Sequence, residues 1–73
     1  MMKFVINGTE REFELREGAT LAELIAALEL KGDRIAVELN REIVPRAGWD
    51  AAGVKDGDKL EIVHFVGGGS SAL

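Results

Sequence analysis

Apolar residues recur along this chain in two rhythms, one of period two and one of period 3.6, and the switches between them mark its elements. Lys3 to Ile6 reads as a first strand. Asn7-Gly8 follows it and is a strong hairpin signal, because a type I′ turn needs positive φ at both central positions. Arg11 to Leu15 returns as a second strand, with Phe13 and Leu15 on one face and Glu12 and Glu14 on the other. Gly18-Ala19 then leads into a helix. Thr20 and Glu23 form a capping box, each side chain satisfying an orphan backbone donor. Leu21, Leu24, Ile25 and Leu28 fall at i, i+3, i+4 and i+7, the stripe of an amphipathic helix. Gly32 is expected as the left-handed residue that ends this helix, with Lys31 before it complementing the helix dipole.

The second half returns to period two. Arg34 to Leu39 reads as a third strand, buried over most of its length through Ile35-Ala36-Val37 and Leu39. Asn40-Arg41 makes a turn into a short strand, Glu42 to Val44. Pro45 cannot donate to a ladder, so that strand is short or at an edge. Arg46 to Gly53 is expected to be irregular or a single helical turn, and Asp56-Gly57-Asp58 a tight turn. Lys59 to Val66 is the last and longest strand, and its apolar run Ile62-Val63 suggests a central position. The order β-β-α-β-β-β implies an α+β domain with one helix packed on one sheet face. Pairing the first and last strands as parallel neighbours gives the β-grasp arrangement of ubiquitin-like proteins. The expected architecture is a mixed sheet of four to five strands with one main helix, a domain over residues 1–66, and a flexible Gly-rich tail over 67–73.

Composition narrows the function classes. The chain has 73 residues, so it forms one small domain without room for a cleft between domains. A core of this size buries only about 60% of the unfolded surface. Self-sufficient catalysis is therefore not expected. There is no cysteine, which excludes disulfides, thiolate metal sites and a cysteine nucleophile. A net charge of −4 disfavours nucleic acid, whose recognition needs a basic footprint. The N-terminal apolar run is too short for a signal peptide, and no segment has the length of a membrane span. A cytoplasmic location, no membrane contact, and a monomer are expected.

Side chains supply no catalytic constellation. Glu12, Glu14 and Glu17 read as a solvated face, no spacing suggests a metal site, and no cofactor is expected. His64 is the only histidine; within a strand it reads first as a half-exposed packing residue, and the functional role open to it is contact with a partner. Val66 beside it flanks the exit of the tail, and Arg46 is a further candidate contact. What remains is the backbone. Gly67-Gly68-Gly69 leaves the last strand directly, and glycine lacks the Cβ that would clash in a narrow active site. The run is not a P-loop, since it lacks the Gly-Lys-Ser/Thr ending. A frayed terminus is the plain alternative. A glycine carboxylate can be activated as an acyl-adenylate and then converted by a sulfur donor to a thiocarboxylate, chemistry that asks for no side chain on its carrier.

From Asn40 through Ile43-Val44-Pro45-Arg46 to Trp49, then Asp56-Gly57-Asp58, a strand, and a glycine pair, the chain resembles the ThiS family, the sulfur carriers of thiamine biosynthesis. The Asn-Gly turn and the start of the helix fit more loosely. The resemblance implies a ubiquitin-like fold and a protein cosubstrate rather than an enzyme. It implies a ThiF-like E1 adenylyltransferase that acts on Gly69 with ATP and magnesium, a desulfurase system that supplies sulfur, and a ThiG-like thiazole synthase that receives it. Matching tails places the reactive glycine at Gly69, with Gly68 and Gly67 before it. Ser70-Ser71-Ala72-Leu73 departs from the family pattern and would block activation. Removal of residues 70–73 by a tail-trimming protease is the expected resolution. The alternatives are that these residues are an artefact or that this member no longer works as a carrier. Two other readings stand beside it: a MoaD-like small subunit of molybdopterin synthase, and a ubiquitin-like interaction module without tail chemistry. The Val-Pro-Arg-x-x-Trp run favours ThiS. Trp49 itself reads as a packing residue that organises the irregular segment.

Overall fold

The computed structural model describes residues 1–30 and 34–65. Strands β1 (Met2–Ile6) and β2 (Thr9–Phe13) form the expected hairpin around Asn7-Gly8, whose φ values are +51° and +82°. A two-residue turn leaves no spare residues, so Thr9 pairs at once with Ile6. The second strand therefore begins before Arg11 and ends at Phe13 rather than Leu15. Leu15 still packs against the core, and Glu12 and Glu14 are exposed.

Helix α1 (Leu21–Ala27) starts where the capping box predicts, and all of its early donors are satisfied. Leu21 N–H donates to the Ala52 carbonyl at 2.7 Å and Ala22 N–H to that of Trp49 at 3.2 Å. Glu23 N–H donates to Thr20 Oγ1 at 3.3 Å, and Thr20 N–H returns to the Glu23 carboxylate at 3.1 Å. Arg16 grips the same carboxylate with two nitrogens, at 2.6 and 3.2 Å. The helix thus opens on the 49–52 segment, which it ties down in turn.

The helix ends earlier than expected. The left-handed residue is Glu29, with φ of +61°, whereas Gly32 and Lys31 lie outside the described residues. Glu29 N–H donates to Ala26 and Leu30 N–H to Ile25, the two bonds of a Schellman turn. Leu28 and Leu30 both pack on the core, and that apolar contact reverses the chain before a glycine is reached.

Strands β3 (Ile35–Leu39), β4 (Glu42–Val44) and β5 (Lys59–His64) complete a five-stranded sheet of order β2-β1-β5-β3-β4. β5 is central, parallel to β1 and antiparallel to β3. β4 is an edge strand that stops at Pro45, and a 3-10 turn, Arg46–Gly48, follows it. Asn40 and Arg41 turn the β3–β4 hairpin with φ of +51° and +74°. Asp58 is buried beside that turn. Its carboxylate accepts from Asn40 Nδ2 at 3.0 Å and from Lys55 N–H at 2.9 Å, and pairs with Lys55 Nζ at 3.3 Å.

The core lies between one sheet face and the helix. Phe4, Ile6, Ile35, Val37, Leu60 and Ile62 from the sheet meet Leu21, Leu24, Ile25, Trp49 and Val54. Trp49 is buried, and its indole N–H donates to the Val44 carbonyl at 2.9 Å, which fixes the 3-10 segment against the edge strand. No helix of the described residues is long and apolar enough to cross a membrane.

Two outcomes follow for the helix ends. Glu29→Gly should raise stability by about 1 kcal/mol. It removes left-handed strain of roughly 1–2 kcal/mol and an acid at a helix C-terminus, against added freedom of the unfolded chain. A higher urea midpoint at unchanged slope is the readout. Glu23 is held below its ordinary value of 4.5, first by the Thr20 N–H and then, against a desolvation push upward, by Arg16. Its charge therefore adds stability that is fully present above the unfolded value and is lost as pH falls through the lowered folded one. Thermal unfolding of Glu23→Gln against the parent should show a gap that is constant above about pH 5.5 and closes on acidification.

Candidate functional site

β5 carries two different surfaces because strand side chains alternate. Leu60 and Ile62 face the core, whereas Glu61 and Val63 face the open side of the sheet. On β3 the alternation is matched. Ile35 and Val37 are buried, and Ala36 and Glu38 stand opposite Val63 and Glu61. On β4, Ile43 lies opposite Glu38 and shares that open face.

The result is an apolar patch where β5 ends. Ile43 is 72% exposed, Val63 58% and Phe65 59%, far from what core residues show. Ala36, Val37, Glu38, Ile43, Glu61 and Val63 line a shallow hollow of about 80 Å³. Phe65 N–H donates to the Arg34 carbonyl at 2.8 Å, so the ladder with β3 continues one residue past β5. Exposed apolar residues gathered beside a chain exit, rimmed by Glu38 and Glu61, are what a docking partner would cover. The Ile62-Val63 run suggested a central strand, and β5 is central, but the two residues part ways. Only Ile62 is buried, since adjacent strand residues cannot share a face.

His64 is exposed at the last position of β5, opposite Ile35, and by alternation it stands on the helix side, away from Val63. Arg46 belongs to a different place. With Ala22, Ile25, Ala26, Leu30, Trp49 and Asp50 it lines a groove of about 310 Å³ beside the helix. The structure therefore does not bring Arg46 into the sheet-face hollow. Val66, Gly67, Gly68 and Gly69 lie outside the described residues, as do Ser70 to Leu73. Sequence reading passed over Ile43, Val63 and Phe65. The available signal was an apolar residue, Ile43, Val63 or Phe65, at a position whose strand parity sets it opposite the face that already supplies the core. Among the described residues no three His, Cys, Asp or Glu side chains cluster to hold a metal.

The sequence profile of the ThiS family matches residues 4–69. The chain is similar to a thiazole synthase of Paramagnetospirillum magneticum, with 49% identity over 69 residues and 94% of this chain covered. It spans only 21% of that protein's length, and 20% of a second thiazole synthase, from Magnetococcus marinus. It is also similar to the sulfur carrier protein ThiS of Bacillus subtilis, at 34% identity over 64 residues, 88% of this chain and 96% of that one. Among solved structures, the crystal structure of the thiamine biosynthesis protein (ThiS) from Geobacter metallireducens has a TM-score of 0.79 at 38% identity. That alignment covers 93% of this chain and 100% of the other.

Adjacent residues should separate core from surface. Ile62→Thr buries a hydroxyl and loses apolar volume, and should cost about 2 kcal/mol or more. Val63→Thr, one residue on, should change stability by less than about 0.5 kcal/mol. Urea denaturation of the two variants checks the contrast.

Proposed function

We propose that this chain, which belongs to the ThiS family, is the sulfur carrier that supplies sulfur for thiazole formation in thiamine biosynthesis. The observation that carries this reading is the extent of the family match. It begins in β1 and runs through the whole domain to Gly69, the glycine on which the chemistry would occur. The shared fold supports it, since a central β5 sends the chain end outward from the middle of the sheet.

The chain is a cosubstrate. A domain over residues 1–66 presents a tail over 67–73, and a protease removes Ser70 to Leu73 to free the Gly69 carboxylate. That carboxylate attacks the α-phosphorus of ATP on a ThiF-like E1 enzyme, forming an acyl-adenylate and releasing pyrophosphate. A persulfide from a desulfurase system displaces AMP at the acyl carbon to give an acyl disulfide, and a second thiol cleaves its S–S bond, leaving a thiocarboxylate and a disulfide on the donor side. On a ThiG-like thiazole synthase the sulfur passes to the acceptor in exchange for an oxygen from the acceptor or from water, which returns the carboxylate. The relative named a thiazole synthase supports this last partnership, because a stretch like this chain makes up about a fifth of it.

The residues of this chain bind and present. Ile43, Val63 and Phe65 form the docking face, and His64 and Val66 flank the exit of the tail. Arg46, on the groove beside α1, makes a peripheral contact. Gly67 and Gly68 carry no side chain, so the backbone can enter a channel too narrow for other residues. The protein acts as a monomer in the cytoplasm.

Two forms, one ending at Gly69 and one at Leu73, would be incubated with the ThiF-like enzyme, ATP and magnesium, and pyrophosphate release followed. The shorter form should be adenylated and the longer one not, because reacting atoms must approach to roughly 3–3.5 Å and Leu73 extends too far along. Val63→Asp in the shorter form should raise KM with little change in melting temperature. Efficient adenylation of the form ending at Leu73 would overturn the account of the tail. Failure of the form ending at Gly69 would favour an interaction module instead.

A further inference from the structure

The turn that closes β1 lies against the last strand, and its asparagine does more than reverse the chain. In the parallel ladder, the Asp58 carbonyl accepts from Val5 N–H at 3.0 Å and the Leu60 carbonyl from Asn7 N–H at 2.9 Å. The next bond in that sequence would join Ile62 N–H to the main-chain carbonyl of Asn7. At Asn7 the backbone instead turns into the left-handed region, with φ of +51°, and the chain leaves toward Gly8. The side-chain amide takes over the ladder. Asn7 Oδ1 accepts from Ile62 N–H at 2.7 Å, and Asn7 Nδ2 donates to the Ile62 carbonyl at 3.1 Å. One carboxamide thus stands in for a further strand residue.

The position of this clamp gives it a consequence. Among the described residues, Ile62 is the last point at which β5 is held on its β1 side. On its other side β3 holds the chain as far as Phe65. Without the carboxamide, the end of β5 would be tethered along one edge only, just where the chain heads for its glycines.

We infer that Asn7 is a positioning residue for the carrier's transfer steps. By anchoring β5 at Ile62 from the β1 side, its carboxamide sets the direction in which the tail is presented to the enzyme that adenylates Gly69. The inference rests on the carrier reading above. A purely local role for Asn7, as a residue that tolerates the left-handed turn, predicts a different pattern of variants.

Asn7→Gly keeps the turn conformation and removes both bonds to Ile62. Asn7→Asp keeps the acceptor but loses the donor. Val54→Ala is the control. It is a core change beside Met1 and Met2, at the other end of β1, and destabilises while leaving both bonds between Asn7 and Ile62 in place. All are made in the form ending at Gly69 and assayed, with the ThiF-like enzyme, ATP and magnesium, at a temperature where each is folded. Asn7→Gly should lower kcat for pyrophosphate release about tenfold with KM nearly unchanged, since small misplacements at the reacting centre are costly while the docking face is intact. Asn7→Asp should fall between it and the parent, and Val54→Ala should keep the parental kcat. Amide relaxation gives an arm independent of activity, with lower order parameters at His64 and Phe65 in Asn7→Gly, smaller drops in Asn7→Asp and none in Val54→Ala. An unchanged kcat in Asn7→Gly, an equal loss in Val54→Ala, or unchanged order parameters would each overturn the inference. If the parent itself is not adenylated, the carrier reading falls, and the relaxation arm alone decides whether the clamp holds the end of β5.

Discussion

The parallel pairing of β1 with β5 is the constraint on which everything else rests. It joins the two ends of the domain across more than fifty residues, yet the register holds only Val5 with Lys59 and Ile6 with Leu60. The fold lengthens this short seam with bonds at both ends. Gly57 N–H donates to the Lys3 carbonyl at 2.7 Å and Lys3 N–H to the Asp56 carboxylate at 2.6 Å, while the Asn7 carboxamide extends the seam to Ile62. Long-range pairing is entropically expensive to close, so once the loop is closed the seam gains from every bond that adds no further loop. Asn40 repeats the device on the other side of β5. Its N–H donates to the Lys59 carbonyl at 2.8 Å, and its Oδ1 accepts from Lys59 N–H at 3.0 Å. Both turn asparagines therefore carry the ladder with β5 one bond further through the side-chain oxygen.

With β5 in the centre, the sheet has one face for stability and one for contact. The helix, Trp49 and Val54 cover the first, and the buried Phe4, Leu21, Leu24, Val37 and Leu60 show how completely. A domain this small has little stability to spare, so the irregular segment after β4 is recruited into the core rather than left as a loop. Trp49 supplies area there, and the helix N-terminus uses the segment's carbonyls as its missing acceptors. The open face can then carry Ile43 and Val63 beside acids, a surface that contributes little to folding.

That division suits a protein whose chemistry would take place on its own backbone. A carrier needs a rigid body for recognition and a slender chain end for reaction. A sheet whose central strand runs last delivers that end from its best-supported point. Membership of the ThiS family and the likeness to a solved ThiS structure agree with this economy of parts.

Most of the architecture was legible because local chemistry dictated it. Asn7-Gly8 and Asn40-Arg41 specify tight turns, Thr20 with Glu23 specifies a helix start, Pro45 ends an edge strand, and the element order leaves few sheets to build. The candidate site was legible only in part. The glycine run and His64 stand out as residues, whereas Val63 differs from Ile62 in nothing a sequence shows except parity, and parity acquires meaning only once the helix has chosen its face. Three further features belonged to the tertiary structure alone. Glu29 took the left-handed position because Leu30 is drawn back to the core, Asp58 became a buried hub because two loops converge on it, and Asn7 found Ile62 because β5 lies beside β1. Turn and cap preferences act over a few residues and can be read in order along the chain. Which side chain meets which across fifty residues depends on how the sheet closes, and that only packing decides.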